Sequence, residues 1–112
     1  MKKRYLLIIL ILALILITNG CINNNSINGA NAETVKCISE KSTIYVSATC
    51  TACAAQKKIF GSQFENLNSV DCAEEAQKCL EAGISRVPTW IINGEKIVGL
   101  KSIDELKELT GC

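Results

Sequence analysis

The chain has 112 residues, enough for one domain, with 12 Lys or Arg against 11 Asp or Glu. That balance argues against nucleic acid as a partner, and the complete absence of histidine excludes Cys–His and Ser–His catalysis and removes the commonest metal ligand. Seven cysteines in so short a chain make thiol chemistry the property to explain.

In chain order, Lys2, Lys3 and Arg4 precede "YLLIILILALILI", thirteen residues broken only by a tyrosine hydroxyl. As a helix this run measures about 20 Å, against a hydrocarbon core of roughly 30 Å. The length is short for a membrane span and normal for the apolar region of a signal peptide, with an uncleaved anchor as the other reading. Either one places the rest of the protein at the extracytoplasmic face of the cell membrane. Without Lys2, Lys3 and Arg4, nine basic residues face eleven acidic ones, which also argues against an electrostatic membrane patch. "ITNGC" then resembles the lipobox of bacterial and archaeal lipoproteins, which implies lipidation of Cys21; Thr18 stands where that family prefers leucine. "INNNSINGANAE" reads as a disordered polar tether holding the domain on the order of 20 Å from the membrane. The expected organisation is a signal peptide or anchor over 1–20, a tether over 21–36 and a folded domain over 37–112.

"TIYVSA", 43–48, is β-branched and aromatic enough for a buried strand. Thr49 is placed to cap a following helix over "CTACAAQKKIFGSQF", with Ile59, Phe60 and Phe64 along one side. "NLNSVDC" suggests a short second strand, and "AEEAQKCLEAG" a helix with Ala76, Cys79 and Leu80 inward and Gly83 as its stop. "PTWIINGEKIVG" is a hairpin turning at Asn93-Gly94. "SIDELKELTGC" opens with a capping box, Ser102 to Glu105, carries an apolar stripe of Ile103, Leu106 and Leu109, and stops at Gly111. The order β-α-β-α-β-β-α predicts an α/β fold. Its four-stranded mixed sheet has the first two strands parallel, an antiparallel hairpin, and helices on both faces.

This order puts Cys50 of Cys-Thr-Ala-Cys where a strand becomes a helix. The helix dipole and free N–H groups there favour a thiolate, and Cys53, almost one turn on, can close an intramolecular disulfide. The spacing by itself also opens zinc ribbons. Pro88, the chain's single proline, starts the third strand in "RVPTW".

The fold order, Cys50-Thr-Ala-Cys53 and Val87-Pro88-Thr89 together resemble the thioredoxin superfamily. The resemblance implies a cis-proline at Pro88 facing the cysteine pair, with Val87 binding substrate backbone like an added strand. "TCTACAAQKKIFG", "VDC" and "CLEAGISRVPTWIINGEKIVGLKSIDELKELTGC" resemble more closely the thioredoxin-like domain associated with homologues of vitamin K epoxide reductase. That likeness implies a minimal thioredoxin-like fold and a thiol–disulfide oxidoreductase without a cofactor, working in the oxidase or isomerase direction. A membrane quinone-linked oxidase of the vitamin K epoxide reductase type would re-oxidise it, exported protein thiols or disulfides would be its substrates, and it would act as a monomer. Unlike thioredoxins proper, the chain lacks Trp before the first cysteine, Gly-Pro between the two, and an acidic residue in "KSTIYVSAT" to take the resolving thiol's proton.

The family has an extra cysteine pair corresponding to Cys72 and Cys79. Within one helix these would lie about 10.5 Å apart, too far for a bond, so the pairing needs Cys72 in the strand end or turn. A relay role for this pair stands beside the structural one. Elimination then leaves Cys37 to pair with Cys112, and Cys21 for lipid. The rival class is a binding module: a Cys₄ zinc site from Cys50, Cys53, Cys72 and Cys79, or a redox-inactive scaffold. The six-residue spacing of the second pair and the oxidising compartment oppose the zinc site. A copper carrier is opposed by the lack of histidine and by Met1 being the single methionine. Trp90 is read either as a wall of the substrate groove or as core.

Overall fold

A computed structural model describes residues 2–16 and 30–112. Cys21, the expected cleavage region and most of the expected tether lie outside the described residues. Helix α1, Lys2–Leu16, opens with Lys2, Lys3 and Arg4 and is apolar beyond them, and Tyr5 to Leu12 are each 52–68% exposed. Among the described residues no helix is long and apolar enough to cross a membrane.

The expected tether ends earlier than residue 36. Helix α2 spans Ala32–Lys41, and the Asn31 side chain caps it by accepting the Thr34 N–H at 2.8 Å. The polar run over 22–33 hides this boundary in the sequence, yet Val35 and Ile38 fall on one helical face and are fully buried in the core. The fold therefore begins before Cys37.

Strand β1, Ser42–Val46, follows directly and lies at the centre of the sheet. It pairs in parallel with β2, Ser69–Asp71, and antiparallel with β3, Thr89–Ile92. Strand β4, Glu95–Val98, completes the order β2-β1-β3-β4 through an antiparallel hairpin with β3. Asn93 and Gly94 both have positive φ, 53° and 79°, as the two-residue turn matching strand twist requires. This is the α/β architecture expected of a thioredoxin-like fold, a four-stranded mixed sheet with helices, preceded by α2.

Alternation decides which side of each strand is covered. Ile44 and Trp90 are register partners on the face that also carries Val46 and Ile92. These four form one cluster with Val35 and Ile38 of α2, Cys53 and Phe60 of α3 (Thr51–Phe60), Leu67, and Leu106 of α5 (Ile103–Thr110). Val70 pairs with Tyr45, so it faces the other side, and it is buried outside that cluster. Cys79 of α4, Ala76–Glu81, is likewise buried there.

Local differences from the sequence reading have identifiable causes. Helix α3 stops at Phe60 because Gly61 takes φ +56°; a 3₁₀ segment, Gly61–Asn66, carries the chain on. Helix α4 starts at Ala76 rather than 73, because residues 73–75 wind into a turn on Asp71. That turn takes the Ala73 N–H on the Asp71 carboxylate and the Glu74 and Glu75 N–H groups on the Asp71 carbonyl. In so short a helix only Cys79 faces the sheet; Ala76 is exposed and Leu80 is 72% exposed, contrary to expectation. On α5, Leu106 is buried and Leu109 is 39% exposed, and the capping box of Ser102 and Glu105 is complete.

Candidate active site

The site forms where β1 ends and α3 begins. Thr49 is not the cap. Cys50 itself is the N-cap, in extended conformation, and its sulfur accepts the Cys53 N–H at 3.1 Å. The Cys50 carbonyl takes the first helical bond, from the Ala54 N–H at 3.1 Å. A cysteine thus occupies the position usually held by Ser or Asp, with one of the helix's free N–H groups aimed at its sulfur.

Cys53, three residues on, points inward and is fully buried, whereas Cys50 is half-buried. Both are free thiols. The Cys53 thiol is raised from 9.0 to about 11, first by burial, next by its hydrogen bond with Cys50. A hydrogen bond from the Ser47 backbone and the charge of Lys57 oppose the rise without cancelling it. Cys53 is therefore protonated at neutral pH, and Cys50 is the sulfur within reach of another molecule.

The opposite wall comes from the turn into β3. The Val87–Pro88 peptide bond is cis, and the Cys50 thiol donates to the Val87 carbonyl at 3.6 Å. Val87 is half-buried and packs on the core beside Cys50, while Pro88 is buried. Two bonds hold this turn: the Thr89 hydroxyl donates to the Arg86 carbonyl at 2.5 Å, and the Gly99 N–H donates to the Pro88 carbonyl at 2.8 Å. Cys50, Cys53, Val87 and Pro88 are brought together, although Cys50 and Val87 are 37 positions apart in the sequence.

The other paired cysteines stand apart from this site. Cys37 on α2 is bonded to Cys112 beyond α5, and Cys72 just after β2 is bonded to Cys79 on α4, with Cα separations of 6.0 and 5.7 Å. Cys72 lies in the turn, where the 10.5 Å problem of a single helix does not arise. Bonded to each other, Cys72 and Cys79 offer no thiolates to a metal, so a four-thiolate zinc site is not assembled. Trp90 is core, fully buried against Phe60, and does not line the groove.

Sequence reasoning missed Gln56. It lies one turn beyond Cys53 on the inward face of α3, is fully buried, and has its carboxamide hydrogen-bonded on both sides. Its place three residues after a buried cysteine was the available signal, masked by the polar "QKK" run.

No protein-family model matches the chain. Over 77 residues it is 35% identical to the thiol-disulfide oxidoreductase LTO1 of Arabidopsis thaliana; the aligned stretch is 61% of this chain and 20% of that protein. The chain thus spans about a fifth of the relative's length. Among solved structures it is similar to a mutant of the thioredoxin-like protein BC3987, with TM-score 0.44 and 24% identity over 62% of this chain and 97% of that one. It is also similar to the NTD_N/C domain of alkylhydroperoxide reductase AhpF from Enterococcus faecalis, with TM-score 0.42 and 24% identity, over 71% of this chain and 44% of that one.

Proposed function

We propose that this chain is a thiol–disulfide oxidoreductase of the thioredoxin superfamily that exchanges disulfides with exported proteins through Cys50 and Cys53. The observation that carries the reading is the asymmetry of the pair. A reachable sulfur caps a helix opposite a cis-proline turn, and a buried, protonated partner sits one turn behind it. The 35% identity to a thiol-disulfide oxidoreductase over 77 residues supports the same chemistry.

In the oxidase direction a substrate thiolate attacks Sγ of Cys50 in the Cys50–Cys53 disulfide. The new bond joins substrate sulfur to Cys50, and Cys53 leaves with the electron pair and takes up a proton. A second substrate thiolate then attacks the sulfur held by Cys50, forming the substrate disulfide and releasing Cys50. The substrate dithiol is oxidised and the enzyme pair reduced by two electrons; in the reductase direction the steps reverse. Val87 offers backbone groups to an extended substrate segment beside Cys50, and Pro88 shapes that turn. No metal or cofactor enters any step.

The basic and apolar N-terminal residues support an extracytoplasmic setting, held at the membrane through α1 or through lipid on Cys21. Re-oxidation by a membrane quinone-linked enzyme of the vitamin K epoxide reductase type completes the cycle. The oxidase or isomerase direction is tested by equilibrating the full chain, in detergent, with graded glutathione buffers and mapping each thiol by alkylation and mass spectrometry. Joint titration of Cys50 and Cys53 at about −120 to −200 mV is expected, while a midpoint near or below about −270 mV marks a reductant. A pair that fails to titrate as a unit sinks the redox reading.

A further inference from the structure

One polar side chain in the core is better connected than packing requires. Gln56 is fully buried, at a position on α3 between Cys53 and Phe60 where an apolar residue would fill the same space. Its carbonyl oxygen accepts the Lys101 backbone N–H at 2.8 Å and the Trp90 indole N–H at 3.3 Å, and its amide nitrogen donates to the Lys101 carbonyl at 2.9 Å. Lys101 is thus gripped on both backbone groups by a side chain 45 residues away.

The places of these partners matter. Trp90 is two residues after Pro88 on β3. Lys101 is two residues after Gly99, whose N–H is bound to the Pro88 carbonyl. Both flanks of the proline turn are therefore tied to the helix that carries the two cysteines. Across that gap the Cys50 sulfur and the Val87 carbonyl stand 3.6 Å apart. A side chain with acceptor and donor ends fixes direction as well as distance, which apolar contact does not.

We propose that Gln56 is a positioning residue for disulfide exchange: its carboxamide fixes the cysteine helix against both sides of the Val87–Pro88 turn and so sets the surroundings of Cys50. The proposal rests on the redox reading above. Replacement by an apolar side chain of similar length leaves the Trp90 N–H and both Lys101 backbone groups to find new partners in the core, and the turn can do so only by shifting relative to Cys50.

The test compares wild type, Gln56→Met and Gln56→Glu as full chains in detergent, at a temperature where far-UV circular dichroism shows each folded. Two quantities are read: the equilibrium constant of the Cys50–Cys53 pair with glutathione, and the rate at which Cys50 attacks a small aromatic disulfide. Alkylation mapping follows Cys72–Cys79 and Cys37–Cys112 as internal controls. The expected result is a change above threefold in both quantities for Gln56→Met with the two control disulfides intact. Gln56→Glu, which keeps the acceptor oxygens and alters the donor side, gives a smaller change in the same direction. If Gln56→Met does not fold, Gln56→Leu is read against the same threefold threshold. Values within threefold of wild type in every folded variant, whatever the loss of melting temperature, overturn it and leave Gln56 a packing residue. A wild-type pair that never equilibrates with glutathione overturns the redox reading itself, a result distinct from an unmoved variant.

Discussion

Cys53 has a proton to lose before it can attack, and the strand leading to the site offers no carboxylate to take it. Burial, the largest cause of the raised Cys53 thiol, persists in an adduct on Cys50, so resolution of a mixed disulfide should quicken steeply, up to roughly tenfold per pH unit, between pH 7 and 9 as the thiolate fraction grows. Single-turnover release of a chromophoric thiol from a preformed Cys50 adduct measures this; a flat profile over that range would contradict the assignment. The same shift acts on stability. The folded dithiol holds the Cys53 proton more tightly than the unfolded chain, so the stabilisation is complete below about pH 9 and is lost as pH rises through 11. Denaturation of the reduced wild type and of Cys53→Ala should therefore diverge at neutral pH and converge above pH 11. Cys53→Ser should trap mixed disulfides that require Cys50; adducts that persist in the double variant with Cys50→Ser would assign the nucleophile elsewhere. The cysteine pair and Pro88 were legible in the sequence because spacing and a single proline mark them. The cap was not: Thr49 and Cys50 are adjacent, and a sulfur acceptor competes with a hydroxyl only once the backbone direction is known.

Three helices show how local signals and tertiary context divide the work. On α5 the capping box was readable, and it is formed: Ser102 Oγ accepts the Glu105 N–H at 3.1 Å and the Glu105 carboxylate accepts the Ser102 N–H at 2.7 Å. The Ser102 backbone, then its hydroxyl, holds Glu105 below its ordinary range. Ser102→Ala should cost about 1 kcal/mol in urea denaturation. Because a lowered carboxyl stabilises only above its unfolded value, that difference should shrink as pH falls below the usual glutamate range. The helices at 32–41 and 76–81 were misjudged for opposite reasons. Val35 and Ile38 lie behind a run of asparagines that carries no periodicity, so burial by the sheet, not local pattern, creates α2. Ala76 and Leu80 suggested an inward face, but Asp71 captures three N–H groups and shortens α4 until one residue, Cys79, makes the contact.

For the whole molecule the parallel first pair and the antiparallel hairpin were legible from crossover handedness and Asn93-Gly94, whereas the pairing of β1 with β3 and the binding of α2 to α5 had no sequence signature beyond cysteine arithmetic. The Cys37–Cys112 bond closes a separation of 75 residues and the Cys72–Cys79 bond one of 7. In the chain-entropy picture they contribute about 4–5 and about 2–3 kcal/mol respectively. Urea denaturation of the Cys37→Ser, Cys112→Ser double variant should show the larger loss and that of Cys72→Ser, Cys79→Ser the smaller; a reversed ranking would mean strain or residual structure outweighs loop length. The longer bond also has a mechanical meaning. A load applied between residue 30 and Cys112 runs through the N-terminal part of α2, with Val35 its one anchor in the core, and across the sulfur–sulfur link, bypassing the sheet and the cysteine helix. Under such a pull the domain gives almost no extension while the link holds. Its reduction frees 75 residues of chain, about 250 Å when drawn straight, so tension becomes a readout of that single covalent bond.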